Sequence, residues 1–231
     1  MLTQLKAAVC RANRRLVDEK LVKLTWGNVS GIDRKRGLVA IKPSGVAYDQ
    51  LEPKHIVVVD LDGKVVEGDL RPSSDTPTHL RLYKAFEAIG GICHTHSCFA
   101  TMFAQARLPI PPMGTTHADC FACAVPVTRP LTIEEVRQDY EGNTGQVIIE
   151  RFSESEMDPL ATPAVLVPGH APFTWGASAE KAVDSAVALE AVARMAMGTR
   201  QLKPDAIELE DYVLSKHRQR KHGPDAYYGQ R

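Results

Sequence analysis

Excess charge of either sign is missing from this chain. Among 231 residues Lys+Arg and Asp+Glu both number 28, so the formal net charge is zero. Such a balance gives no electrostatic footing for nucleic acid. No apolar run approaches the roughly 20 residues that cross a bilayer. The opening segment Met1-Leu2-Thr3-Gln4-Leu5-Lys6 lacks the apolar core of a secretory signal. The five cysteines, an odd number without an export signal, read as reduced thiols of a cytoplasmic protein. Cys120-Phe121-Ala122-Cys123 is a lone CxxC without a partner motif and reads as packing. Repeats, low-complexity tracts and linkers are also absent, which leaves one domain over 1–231. What is present is ample apolar material, 44% of residues, for a full core.

Periodicity supplies the elements. Leu2, Leu5, Val9, Ala12 and Leu16 recur at helical spacing and predict an amphipathic helix over 2–19. The stretch Leu24 to Ser30 is strand-like with a Gly-Asn break, and Leu38 to Lys42 is a second strand ended by Pro43-Ser44-Gly45. Runs at 56–60 and 64–67 flank Asp62-Gly63, a hairpin signal. Ser73-Ser74-Asp75-Thr76-Pro77 carries the capping residues and early proline of a helix start, continued by His79, Leu82, Tyr83, Phe86 and Ile89. Strands are predicted at 90–96, at Val147-Ile148-Ile149-Glu150 and at 164–167, and helices at 97–106, 178–200 and 208–222, the last with Gly223 at C′. The fold class is α/β: a sandwich with a central β-sheet flanked by helices.

The chemistry gathers at a few polar positions. His94 and His96 are two apart on a predicted strand, so both side chains face the same side. His170 ends a second apolar run. Three imidazoles at strand ends suit a divalent metal with one open position; a hydrogen-bonded core pair is the other reading of His94 and His96. Gly27-Asn28, Ser44-Gly45 and Ser73-Ser74 are small-residue turns offering backbone N–H groups and hydroxyls, as phosphate requires, and Lys42 adds a charge. Each is equally an ordinary turn. Asp75 either caps a helix or stands beside a metal as a carboxylate. Asp119, in Thr115-Thr116-His117-Ala118-Asp119, is a solvated loop carboxylate or an acid/base group. The basic run from Lys216 to His222 and the tail Ala226-Tyr227-Tyr228-Gly229-Gln230-Arg231 close the chain.

Thr25-Trp26-Gly27-Asn28-Val29-Ser30, Lys42-Pro43-Ser44-Gly45, Pro72-Ser73-Ser74-Asp75-Thr76-Pro77-Thr78-His79, His94-Thr95-His96-Ser97, Gly114-Thr115-Thr116-His117-Ala118-Asp119 and Tyr227-Tyr228-Gly229-Gln230 together resemble the L-ribulose-5-phosphate 4-epimerase family. That family lies within the class II aldolase superfamily, whose adducin-like members share the fold. The resemblance implies a bound Zn(2+), with Mn(2+) as an alternative for such borderline ligands, and a homotetramer with sites at subunit interfaces. It implies metal ligands His94, His96 and His170, with Asp75 alongside. Substrate contacts become Gly27, Asn28, Ser44, Gly45, Ser73 and Ser74. The acid/base pair becomes Asp119 and Tyr228, the tyrosine reaching in from a neighbouring subunit, with Thr115, Glu141 and His217 in support. One departure is Pro168, where a histidine is expected; His170 keeps the ligand position.

The implied reaction is the interconversion of L-ribulose 5-phosphate and D-xylulose 5-phosphate in pentose catabolism, arabinose use included. It proceeds by retro-aldol cleavage of C3–C4 and re-formation on the other face. A class II sugar-phosphate aldolase is the nearest rival, but it is expected to carry a glutamate where this chain has Asp75. A non-catalytic adducin-like interaction module is expected to lack the metal histidines, all three of which are here.

Overall fold

A computed structural model describes residues 2–223 and 226–227. Its sheet has seven strands, β1 (Asn28–Asp33), β2 (Leu38–Ile41), β3 (Val57–Asp60), β4 (Val65–Glu67), β5 (Gly91–His94), β6 (Ala164–Leu166) and β7 (Pro172–Gly176). They lie in the order β4-β3-β2-β1-β5-β7-β6, and every pairing is antiparallel. Among the described residues no helix is long and apolar enough to cross a membrane.

Strand alternation sends neighbouring side chains to opposite faces, and both faces of the central strands are covered, which is why β2, β3 and β5 are largely apolar, while the edge strand β4 is exposed. On one face Val29, Ala40, Val58 and Cys93 pack against α1 (Leu2–Asp18) and α6 (Ala179–Leu202) through Val9, Leu16, Ala182 and Val183. On the other, Val39, Val57, Val59, Ile92, Phe173 and Trp175 meet Leu82 and Tyr83 of α2 (Thr76–Ala85) and Ile148 and Phe152 of α5 (Ile133–Glu154). A third cluster joins α3 (Cys98–Ala106) to β6 and α6. The polar helix α7 (Asp211–His222) buries no residue and packs on the short α4 (Thr115–Ala118).

The central sheet with flanking helices is as the sequence predicted, with three local corrections. Val147–Glu150 is helix, not strand: it lies within α5, which starts at a capping box between Thr132 and Glu135. The β-branched run there serves one buried helical stripe. Residues 24–27 form a turn, so β1 begins only at Asn28. Gly223 adopts φ −75° and ψ 169°, an extended C-cap rather than the left-handed C′ conformation. Strand β7 was not foreseen.

Candidate metal centre and substrate cavity

Register brings the site together at one end of the sheet. Asn28, first residue of β1, pairs with His94, last residue of β5, which pairs in turn with Phe173 of β7. His96 follows two residues on, and His170 sits in the β6–β7 hairpin loop, where its N–H donates to the Val167 carbonyl. The three histidines offer ligand nitrogens within 4.8 Å of one another. His94 is buried and stacked on Phe173 at 4.2 Å, and its Nδ1–H donates to the Pro172 carbonyl at 3.0 Å. That bond fixes the ring's orientation and turns Nε2 toward His96 Nε2, 3.2 Å away.

This arrangement fits a divalent metal. Two imidazole nitrogens on one tetrahedral zinc stand about 3.3 Å apart, given Zn–N of about 2.0–2.1 Å. Core hydrogen bonding between His94 and His96 leaves unexplained why a third imidazole, from another loop, joins them. Burial pushes His170 down to about 4, helped by His94 and His96, and lowers His96 in the same way. Both are therefore neutral, the ligand form, at physiological pH.

Asp75 precedes α2 but makes no side-chain cap. Its Oδ2 instead accepts from Asn28 Nδ2 at 2.6 Å, and Asn28 also donates to Ser73 Oγ at 3.0 Å. Burial raises the Asp75 carboxyl, but His94, His79, the Asn28 amide and His170 outweigh it, and the net shift is below the ordinary carboxylate range. The carboxylate thus lines the histidine cavity without belonging to the three-nitrogen cluster. One helical turn on, buried His79 bonds Ser30 Oγ through Nδ1 at 2.7 Å.

The small-residue turns converge. Pro43 bridges Pro72, Ser73 N–H donates to the Lys42 carbonyl and Ser44 N–H to that of Arg71. Lys42, Ser44, Gly45, Ser73, Ser74 and Asp75 consequently line one cavity of about 630 Å³ with the three histidines, Gly27 and Asn28. Gly27 is required where it stands. Its φ is +84°, and a Cβ there would lie 2.7 Å from the His94 carbonyl oxygen. Lys42, only 2% exposed, donates to the Pro43 carbonyl and lies 4.9 Å from the Tyr48 ring centroid.

Two residues on the far wall went partly unrecognised in the sequence. Helix α5 is broken at Asp139 (φ −161°, ψ 79°), whose carboxylate accepts from Gly142 N–H and restarts the helix. The restart delivers Tyr140 and Glu141 to the cavity, with the Tyr140 hydroxyl 3.4 Å from His170 Nδ1. Glu141 was expected in support; Tyr140 was not foreseen, although an Asp three residues before a Gly inside a helical run is a capping signal.

Asp119 is elsewhere. It does not line the histidine cavity but binds α7 of its own chain, at 3.0 Å to His217 Nδ1 and 2.8 Å to Arg220. Partial burial raises its carboxyl, yet Arg220 and His217 outweigh this and hold it below the usual range. Thr115 opens α4, just before it. Tyr228 lies outside the described residues.

The model of the Class II Aldolase and Adducin N-terminal domain matches residues 7–197. The L-ribulose-5-phosphate 4-epimerase UlaF of Salmonella paratyphi A is 55% identical over 230 residues, covering 100% of both chains, and that of Salmonella typhi matches to the same extent. Among solved structures, an L-fuculose 1-phosphate aldolase superposes with a TM-score of 0.78 at 25% identity, over 94% of this chain and 95% of its own. YgbL from Klebsiella pneumoniae, described as a putative aldolase/epimerase/decarboxylase, has the same fold, with a TM-score of 0.73 at 22% identity over 94% of this chain and 99% of its own. The chain belongs to the class II aldolase and adducin N-terminal domain family.

Proposed function

We propose that this protein is a metal-dependent L-ribulose-5-phosphate 4-epimerase that interconverts L-ribulose 5-phosphate and D-xylulose 5-phosphate. One observation carries it: a three-nitrogen metal cluster and phosphate-type turns face each other across one cavity. The choice of substrate is supported by 55% identity to the Salmonella epimerases, against 25% to the fuculose phosphate aldolase.

C4 of this substrate carries no acidic hydrogen, so its inversion calls for breaking and remaking C3–C4. His94, His96 and His170, with Asp75 beside them, would hold Zn(2+), or Mn(2+) in its place, which when bound would supply Lewis acidity toward the substrate's carbonyl end. Ser44, Gly45, Ser73 and Ser74 offer N–H and hydroxyl groups to the phosphate at the α2 N-terminus, and Lys42 adds its charge. Asn28 orients Asp75, and its Oδ1, buried without a partner, accepts a sugar hydroxyl. Gly27 lets the chain pass against His94.

Proton transfer falls to Asp119 and Tyr228, one for each face of the turning aldehyde. Because Asp119 and His217 stand on α4 and α7, away from their own chain's histidines, they serve the cavity of a neighbouring copy. This favours a homotetramer with sites at subunit interfaces. We assign residues 1–231 to one domain acting in the cytoplasm in pentose catabolism. The test is incubation with L-ribulose 5-phosphate, with and without chelator. Chelator-sensitive formation of D-xylulose 5-phosphate is expected; net release of dihydroxyacetone and glycolaldehyde phosphate would assign an aldolase instead.

A further inference from the structure

Large apolar side chains are normally covered, and Trp175 is, at 0% exposure; Trp26 is 53% exposed. Roughly 100 Å² of indole thus faces solvent, about half of what a tryptophan can bury. The backbone holds it there. Tyr48, itself buried, directs its hydroxyl at the carbonyl oxygens of Trp26 and Gly27, each 2.8 Å away. On the other side Gly27 is pressed against the His94 carbonyl. With both carbonyls held and Gly27 in contact with β5, the loop cannot fold the indole into the core.

The indole lines the histidine cavity, its ring centroid 6.3 Å from that of His96 and tilted by 47°. Tyr48, which holds the Trp26 peptide, carries the Lys42 ammonium over its ring. Trp26 thus stands beside His96 in the cavity that Lys42 also lines.

We infer that Trp26 is the wall that retains the aldehyde half of the cleaved substrate and so sets the partition between epimer and released fragments. This rests on the function proposed above. Cleavage leaves the C3–C4 electron pair on the three-carbon half and makes C4 an aldehyde, its hydroxyl proton passing to an acid/base residue. Recombination returns the pair to the opposite face of C4 and the proton to its oxygen. Inversion succeeds only if glycolaldehyde phosphate stays while its carbonyl turns. Its phosphate is anchored, but its carbonyl end must rotate without leaving. A broad, uncharged and largely apolar side chain suits this, because it blocks exit without a charge or acceptor that would pin the turning aldehyde. Trp26 is a positioning residue in this scheme and moves no proton.

The test uses metal-loaded, full-length Trp26→Ala and Trp26→Phe. With L-ribulose 5-phosphate, NMR should show D-xylulose 5-phosphate alone from wild type. From Trp26→Ala, dihydroxyacetone and glycolaldehyde phosphate should appear, raising the ratio of released fragments to epimer by roughly tenfold or more, with Trp26→Phe recovering most of the retention. Metal content should be equal in all three. Binding gives a separate readout. With Trp175 buried, acrylamide-quenchable emission belongs to Trp26, and glycolaldehyde phosphate alone should protect it. The inference fails if wild type epimerises while Trp26→Ala leaks no more fragments than wild type, or if glycolaldehyde phosphate leaves quenching unchanged. A smaller assembly in Trp26→Ala would mean that a neighbouring copy covers the indole, and would also overturn it. Absence of D-xylulose 5-phosphate from wild type would instead refute the proposed function, while the quenching experiment still reports on the wall.

Discussion

Lys42 is a buried charge that we propose meets the substrate's phosphate, so replacing it with methionine should stabilise the protein and weaken phosphate binding at once. No carboxylate pairs with it among the described residues; its neighbours are the Pro43 carbonyl and the Tyr48 ring. Burial pushes its ammonium from 10.5 down to about 8. At 1.36 kcal/mol per pKa unit, the charge costs at most about 3 kcal/mol. Solvent in the adjoining cavity screens part of this, and the methionine must forgo the carbonyl and ring contacts, leaving a net gain of about 1 kcal/mol. The native pKa lies below the unfolded one. The penalty is therefore fully present at pH 7, where both states are charged, and fades as pH rises through 8 toward 10.5. In a chain of this size Lys42→Met should raise Tm by about 2–4 °C at pH 7, and the advantage should shrink at high pH. A charged hydrogen bond contributes about 1.5–3 kcal/mol, so phosphate should bind roughly 10- to 100-fold more weakly. The assay is thermal unfolding of metal-loaded protein with and without inorganic phosphate, which stabilises according to its affinity. A lower Tm for Lys42→Met, or equal stabilisation of both proteins by phosphate, would refute the reasoning.

Three further outcomes are expected. His96→Asn should lose most bound metal and activity but keep its fold, since a core of this size does not depend on a catalytic ion; full metal content by elemental analysis would exclude His96 as a ligand. Ser74→Ala should raise KM for L-ribulose 5-phosphate by roughly threefold to tenfold with kcat nearly unchanged, because a phosphate contact acts equally on ground and transition states; an unchanged KM in steady-state kinetics would place the phosphate elsewhere. Because Asp119 does not line its own chain's histidine cavity and is proposed to serve a neighbouring copy, mixing Asp119→Asn chains with His96→Asn chains should restore activity at about a quarter of sites in a randomly assorted ring. No recovery after confirmed subunit exchange would show that Asp119 acts within its own chain or not at all.

The histidine pair was legible from its spacing, but the predicted strand was too long: β5 ends at His94, and His96 reaches the cluster with His170 from the segment that follows. The phosphate turns were legible as turns but not as a set. Their convergence depends on the Pro43–Pro72 bridge and on Ser73 N–H reaching the Lys42 carbonyl, contacts between segments far apart in the chain. Local propensity misled at Val147–Glu150, where a β-branched run reads as a strand. The helical segment that contains it is restarted just upstream at Asp139, whose carboxylate accepts from Gly142 N–H, a local capping contact that outweighs the strand propensity of the run. Asp75 could equally have been a cap; only the β1–β5 register, which puts Asn28 beside His94, shows what its carboxylate binds. The position of Asp119 was invisible because it depends on α7 packing on α4, and the polar face of α7 carries no periodic signal.

On the proposed function, this cavity inverts C4 by breaking C3–C4 rather than by removing a proton. The most direct test is to run the metal-loaded protein on L-ribulose 5-phosphate in deuterated water and examine the D-xylulose 5-phosphate by NMR. Carbon–carbon cleavage leaves the original hydrogen on C4 as the aldehyde hydrogen, so the expected product carries no deuterium at C4. Deuterium at C4, or no D-xylulose 5-phosphate at all, would contradict it.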